Sequence, residues 1–502
     1  MLSIFNVWKI WRHFRAGEFV QALAGCREGS WLMESGLSQR YRSEAFYRIG
    51  MYATAARLPV SASNWRATFP VAVSLAACGN HVRALEILRF LPWASIPTAK
   101  KIALAAALSP FMPDEALRLL QTLGDAAPSP LYAGVLLRTG NRLQAQQVVM
   151  KALQAGHHQK YPELHLLETM AEQGGEPLKQ LDRLNAFLQA QGVPALSLRR
   201  QSQPPSPCNV VMNQALPSVE GPLVTVLMTT YKTGERGLAA IESLLNQTYR
   251  NLEIIVVDDA SDDETVQHLA QVAKHDSRVR VLVLPFNVGT YVAKSIGMKA
   301  ARGEFVTCHD SDDWSHPCKI ARQVQPLLDE PELVASISYL LRMQDDGQFY
   351  AWPVHPLMRL NQSSLLFRRE VVLAKAGAWD CVRTGADSEF YARLRLVFGK
   401  KAVKRIRQPL SLVAHRPGSL MTDKKTGYSD KGISVERLDY VESWGRWHIE
   451  CLACGKTPYL GLLATERAFA APQGIEVPAA HIQQVQLAQQ VCAIQNNRLG
   501  EA

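Results

Sequence analysis

Phe305-Val306-Thr307-Cys308-His309-Asp310-Ser311-Asp312-Asp313-Trp314-Ser315-His316-Pro317 is the stretch on which the reading of this chain turns. A short apolar run ends abruptly in carboxylates at 310, 312 and 313, followed by an aromatic and then a proline. Such a run reads as a buried parallel strand whose carboxyl end opens into a loop. In open α/β sheets, ligands bind at that end. Crowded carboxylates repel one another, and a cation between them makes their ionised forms tolerable. Oxygen ligands on a sharp loop suit Mg²⁺ or Mn²⁺, which such sites bind through one or two carboxylates plus substrate phosphates. An Asp-x-Asp standing alone is more often a solvated acidic turn, so the flanking sequence has to carry the reading.

Upstream, Leu223 to Met228 is an apolar strand that ends in the loop Thr229-Thr230-Tyr231-Lys232. A helical stretch through Leu238, Ala239, Ile241, Leu244 and Leu245 follows. Ile254 to Val257 is a second strand, ending in Asp258-Asp259-Ala260-Ser261-Asp262, and Val279 to Val283 is a third. Ala293 to Ala301 reads as a helix leading into the strand at 305. This repetition predicts a parallel sheet with right-handed crossovers. No GxGxxG follows the first strand, which disfavours a dehydrogenase-type dinucleotide fold.

In order along the chain stand Val224-Thr225-Val226-Leu227-Met228-Thr229-Thr230-Tyr231, Ser243-Leu244-Leu245-Asn246-Gln247-Thr248-Tyr249 and Glu253-Ile254-Ile255-Val256-Val257-Asp258-Asp259-Ala260-Ser261. Asn287-Val288-Gly289, Gly303-Glu304-Phe305-Val306 and the acidic loop complete the set. Together they resemble the inverting GT-A glycosyltransferases of family 2. The resemblance implies an α/β GT-A domain over 222–425. Its expected activity is metal-dependent transfer of a sugar from a nucleotide-diphosphate donor, most often UDP-linked. The expected acceptor is a hydroxyl of a glycan or lipid-linked sugar in bacterial envelope polysaccharide synthesis.

The same resemblance assigns roles. Thr229, Tyr231 and Asp259 would bind the nucleotide, and an aromatic that stacks on a base beside a carboxylate that accepts its N–H suits that task. Lys294 stands where the family carries Arg, keeping the charge but losing the bidentate fork toward phosphate. Asp312 is expected as the direct ligand of Mn²⁺ or Mg²⁺, with Asp310 contacting ribose or metal. The metal would act as Lewis acid and template for the departing diphosphate. In Gly385-Ala386-Asp387-Ser388-Glu389, Asp387 falls on the position of the catalytic base, and Ala386 departs from the family's Glu. A carboxylate at a helix start is also an ordinary cap. His415, in a segment resembling the family's late His, would ligate the metal or touch the diphosphate. The changes at 294 and 386 leave a second reading open: an impaired, transferase-like scaffold that recruits partners.

Residues 1–200 are helical in pattern throughout. Segments around Ala84, Ala116 and Ala145 echo one another at intervals of about 30 residues, which suits tetratricopeptide-like paired-helix repeats and a protein partner. Residues 201–221, with Gln203-Pro204-Pro205-Ser206-Pro207, read as a linker. Residues 426–502 read as a helical extension with a Gln-rich tail.

The net charge of +10 favours anionic partners such as sugar nucleotides or a membrane surface. Nucleic acid is set aside, because no zinc-finger spacing, RNP-type motif or aromatic-interleaved basic run is present. The 9 cysteines are scattered and odd in number, which points to a reducing cytoplasm. No run approaches the ~18 apolar residues of a membrane span. Residues 4–15 have one aromatic-apolar face and one cationic face. That fits the first helix of a helical domain, and also a helix lying on the inner face of the membrane.

Overall fold

The protein is described from a computed structural model that covers residues 4–26, 36–172, 174–423, 425–429 and 432–488. The central sheet contains β1 (Val224–Thr230), β2 (Leu252–Asp258), β3 (Val279–Val283), β4 (Phe305–Asp310), β5 (Trp314–Ser315), β6 (Ala335–Met343), β7 (Leu366–Arg368) and β8 (Val403–Ala414). They run in the order β3-β2-β1-β4-β7-β6-β8-β5, with short strands at 349–350 and 359–360 pairing on β6. The first four are parallel. The expectation of a parallel sheet, read from the strands between 223 and 310, therefore holds there, and beyond it the sheet is mixed. There β7 is antiparallel to both neighbours, β8 is parallel to β6, and β5 is antiparallel to β8. Strands of two or three residues, such as β5 and β7, are too short to show a period in the sequence.

Every residue of β1 and β2 is buried. Val224, Val226 and Met228 face the layer of helices Glu235–Leu245, Thr265–His275 and Lys319–Asp329. Leu227, Ile255 and Val257 face helix Thr290–Ala300 on the other side. Strands covered on both faces read as continuous apolar runs, which is why these two are plain in the sequence. Each such Val, Leu or Ile contributes about 1.5–3 kcal/mol by its burial.

Ahead of the sheet, helices succeed one another from Ile4–Arg15 to Pro177–Ala190. Trp65–Ala77 pairs with His81–Arg89, Thr98–Leu108 with Pro113–Gln121, and Ser129–Arg138 with Arg142–Gln154. Ala84, Ala116 and Ala145 recur on the second helix of each pair, and all three are fully buried. The last of these helices share one apolar cluster with the sheet. Ala133, Val149, Leu167 and Phe187 pack with Trp314, Leu341, Met343, Leu410 and Leu412. The division near residue 200 is thus a change of pattern without a break in packing.

The stretch expected as a linker is folded. Ser197–Leu198 pairs with Val210–Val211. The Asn209 amide donates to the carbonyls of Arg200, Gln203 and Pro204 at 3.1, 2.9 and 2.9 Å. Pro205, Ser206 and Pro207 are buried. One side chain here supplies the backbone partners that proline-rich sequence lacks, so composition alone misleads.

The C-terminal extension, expected as helices with a Gln-rich tail, is helical in part. Helix Val435–Ala453 and a helical stretch at 479–488 are present, but 456–477 is irregular. Leu460, Leu463, Ile475 and Val477 of that segment pack into the cluster that holds Trp379 and Phe390. The Gln-rich tail beyond 488 lies outside the described residues. At the other end, helix Ile4–Arg15 leaves Trp8 and Trp11 exposed, with Arg12 and Arg15 lying 5.4 and 4.9 Å from their rings. Among the described residues no helix is long and apolar enough to cross a membrane.

Candidate active site

Strand register brings the predicted residues to one edge. Thr229 lies opposite Asp310 across β1 and β4, and Thr230 lies opposite Asp258 across β1 and β2. Helix Thr290–Ala300 places Tyr291 and Lys294, three apart, on one face. Helix Ala386–Val397 starts just before Asp387. The residue preceding it, Gly385, has φ of 91°, and a Cβ there would come within 3.1 Å of Tyr440, so glycine lets this helix start against that ring.

Lys294 joins the two acidic motifs. Its ammonium is buried, 3.6 Å from Asp310 Oδ1 and 3.7 Å from Asp387 Oδ1. The Tyr291 hydroxyl donates to Asp387 Oδ2 at 3.0 Å. Burial would pull the Lys294 ammonium down, but Asp387 and Asp310 outweigh it and hold its pKa well above the usual lysine value. Burial raises the Asp310 carboxyl, but Lys294, His309, Ser363 and Arg342 together more than reverse that, leaving it below the ordinary range. For Asp387, burial dominates. Its pKa is raised, with Lys294 opposing and Asp310 reinforcing the shift.

The rest of the acidic loop is divided in role. Asp312 Oδ2 accepts from Arg416 Nε at 2.8 Å. Asp313 is buried and accepts the Ala414 N–H at 3.1 Å, which anchors the loop to β8. Burial, then the charges of Asp312 and Asp310, push its pKa well up. His309 lies beneath, with Nε2 3.2 Å from the Asp313 carbonyl and Nδ1 3.2 Å from Ser315 Oγ. Burial, aided by Lys319, pushes its pKa down to about 3. Lys319, fully buried, donates to Ser315 Oγ at 3.2 Å, and burial lowers its pKa to about 8.

The predicted nucleotide residues are spread along the mouth. Thr229 shares a 2.7 Å hydrogen bond with Thr290, and Tyr231 is exposed with Lys232 Nζ 5.2 Å from its ring centre. Asp259 is already engaged. Its two carboxylate oxygens accept the N–H groups of Val288 and Gly289, each at 2.7 Å. Burial nevertheless raises its pKa. It therefore holds the loop at 287–289, whatever else it contacts.

The structure does not gather the expected metal set of Asp310, Asp312 and His415. Among the described residues no group of three or more His, Cys, Asp or Glu side chains could hold a metal ion. The reason lies in β8, whose end ties the His415 N–H to the Met343 carbonyl at 2.8 Å. The imidazole stacks on Tyr350 at 3.6 Å and 7°, with Nδ1 buried and, among the described residues, unpartnered. Burial, then Arg342 and Arg138, lower its pKa to about 4. Asp310 and Asp312 remain. Two carboxylates fit a cation whose other ligands are phosphate oxygens and water.

Sequence reasoning passed over Tyr291, Lys319 and a buried ion cluster on the Asp387 helix. Arg393 donates to Glu389 at 2.8 and 2.9 Å, and His448 Nε2 lies 3.0 Å from the same carboxylate. The i,i+4 spacing of Glu389 and Arg393 was the available signal. Ala386, where a carboxylate was expected, is buried in the core.

Comparison with known proteins agrees with this geometry. Residues 225–378 match the family model described as glycosyl transferase family 2. The glycosyltransferase GlyG of Streptococcus pneumoniae is 31% identical over 157 residues, covering 31% of this chain and 51% of that protein. The succinoglycan biosynthesis protein ExoO of Rhizobium meliloti is 32% identical over 157 residues, covering 30% of this chain and 44% of its own. WfaP of Escherichia coli, a UDP-Glc:alpha-D-GlcNAc-diphosphoundecaprenol beta-1,3-glucosyltransferase, is 33% identical over 102 residues, covering 20% and 40%. The chain spans about half or less of the length of these relatives. The mixed sheet, with its parallel half at 224–310 and its acidic loop at the carboxyl end of β4, has the GT-A architecture, and residues 225–378 form the part of the chain that matches glycosyl transferase family 2.

Proposed function

We propose that the chain moves a sugar from a nucleotide-diphosphate donor, UDP-linked, to a hydroxyl of a glycan or lipid-linked acceptor during polysaccharide synthesis. The observation that carries this reading is Lys294, whose ammonium lies within 4 Å of both Asp310 and Asp387. The last residue of β4, at the head of the acidic loop, and the proposed base thus flank one buried ammonium, which supports a common site. Asp387 suits a general base, because its raised pKa increases its hold on a proton while Tyr291 orients one oxygen. The acceptor oxygen attacks the anomeric carbon as the bond to the diphosphate breaks, and its proton passes to Asp387. Attack from the face opposite the leaving group inverts the configuration. Thr229, Tyr231 and Asp259 at the strand ends would contact the nucleotide. A divalent cation, when bound, would be held by Asp310 and Asp312 and would offset charge on the departing diphosphate. The names of ExoO and WfaP support the polysaccharide context, and that of WfaP supports a UDP-sugar donor and a diphospholipid-linked acceptor.

The test is to incubate the full chain with a panel of UDP-sugars and Mn²⁺ and follow release of UDP. Absence of any donor binding by calorimetry would remove the reading. A second reading, an impaired scaffold acting through its helical repeats, draws on Ala386 and on the Arg416 guanidinium at Asp312. It predicts captured protein partners together with no metal-dependent donor binding.

A further inference from the structure

A cavity of about 390 Å³ lies beside the Asp387 helix and is built by three parts of the chain. Tyr52 comes from the helical region; Arg342, Trp352 and Arg359 come from the sheet and its loops; Tyr428 and Arg437 come from the C-terminal region. Most of this wall lies outside residues 225–378. Gly385 and Ser388, which flank Asp387, also line it, and Ser388 Oγ donates to Gln362 Oε1, another lining residue, at 2.9 Å. The cavity therefore reaches the start of the helix that carries the proposed base.

Its charge is one-sided. Among the described residues the ionic side chains on the wall are the three arginines, and no Asp or Glu lines it. Arg342 donates to the Ala414 carbonyl at 3.1 Å, and Arg437 to the Leu420 carbonyl and Thr384 hydroxyl at 3.1 and 2.8 Å, all neutral partners. The Arg359 side chain makes no hydrogen bond or ion pair among the described residues. Asp310 and Asp313 act on Arg342, and Glu163 on Arg359, but none of these acids is on the wall. Guanidinium groups so placed suit phosphate or carboxylate oxygens.

The same wall carries aromatic faces. Trp352 and Tyr428 lie 4.6 Å apart, and Trp352 Nε1 is buried without a hydrogen-bond partner among the described residues. An amphipathic ligand with apolar C–H faces and hydroxyls would use both the rings and that N–H.

We propose that this cavity is the acceptor site and takes a saccharide bearing a phosphate or carboxylate, its ring against Trp352 and Tyr428 and its anion on Arg342 and Arg359. The proposal rests on the transferase reading and names the substrate class for it. Calorimetry on the full chain would use three probes: N-acetylglucosamine joined through a diphosphate to a decyl chain, a tetrasaccharide containing glucuronic acid, and neutral methyl N-acetylglucosaminide. At least one anionic probe should bind, more weakly as salt rises. Whichever binds identifies the source of the charge. Arg359→Gln should weaken that binding by about tenfold or more. Arg342→Gln gives a second reading, and UDP binding by each variant reports that it is folded. Failure of both anionic probes, equal binding of the neutral one, or unchanged affinity in both variants would overturn the acceptor site. Loss of UDP binding by the wild-type chain would instead strike the transferase reading, leaving the cavity to be judged on the probes alone.

Discussion

Arg416 donates to Asp312 at 2.8 Å, and through this pair the residue expected to hold a metal already has a cation beside it. A divalent ion must compete with the guanidinium for one carboxylate. Exposed and half-exposed ion pairs are worth up to about 1 kcal/mol, which is about fivefold in affinity. Arg416→Gln should therefore tighten Mn²⁺ activation in the presence of UDP by up to that factor. Weaker activation would show that Arg416 assists the site, through the phosphates, instead of competing for it.

Asp387→Asn keeps the shape of the helix start but removes the proton acceptor. Turnover should fall by about 10²- to 10⁴-fold with UDP affinity unchanged. The pH profile gives a separate check. Burial raises the Asp387 pKa, so the wild-type rate should drop as pH falls through a value above the ordinary ~3.9 of aspartate. That acid limb should vanish in the variant's residual rate. A limb that survives unchanged assigns the titration to another group.

Lys294→Met takes away the charge shared by Asp310 and Asp387. Removing one partner of a buried pair costs about 3–5 kcal/mol, and the partial exposure of Asp310 places this one near the low end. Urea denaturation would read the loss. With the ammonium gone, the Asp387 pKa should rise further, and the acid limb of the rate should move to higher pH. Stability within error of wild type would show that the two carboxylates do not depend on this lysine.

Glu389→Gln should be as costly without touching the chemistry directly. It leaves Arg393, fully buried, without its anionic partner, and weakens the tie to His448 on helix Val435–Ala453. A loss of about 3–5 kcal/mol is expected. UDP binding in the folded fraction should persist.

His415→Phe separates two ideas about one residue. Phenylalanine can keep the stack on Tyr350 while removing a ring nitrogen that has no partner. The His415 pKa is about 4 in the folded chain, against about 6.5 when unfolded. The unfolded state therefore binds the extra proton between those values, so this residue's contribution is intact above about 6.5 and lost as pH falls toward 4. The variant should lose less stability than wild type on going from pH 7 to 4.5. Its Mn²⁺ dependence should match wild type, since the imidazole is not part of a metal group. A collapse of metal activation would restore His415 as a ligand.

How much of this was legible depended on whether the signal was local. β1, β2 and β4 announced themselves as apolar runs because both faces are covered. Asp310 stood out because it sits where an apolar run breaks, and Asp387 because its segment resembles the family's motif. Their meeting at Lys294 could not be read, since it needs β4, helix Thr290–Ala300 and helix Ala386–Val397 to converge across 77 positions of chain between 310 and 387. The stacking of His415 could not be read because its neighbour Tyr350 comes from a two-residue strand with no period to read. The segment at 201–221 was misjudged because a single asparagine, Asn209, does the hydrogen bonding that a regular element would show as a pattern.

The helix Ser129–Arg138 and the loop before the short strand at 359–360 touch so closely that a Cβ on Gly134 would stand 2.6 Å from Val354 Cγ1. During synthesis from the N-terminus, the helical region leaves the ribosome with that seam open, and its partner in the sheet has yet to be translated. The Trp379 and Phe390 cluster waits longer still, for Ile475, Val477 and Val485. Maturation of this molecule is consequently a late event, governed by release of almost the whole chain. A ribosome stalled before residue 475 should carry a nascent product that proteases cut freely around Trp379 and Phe390.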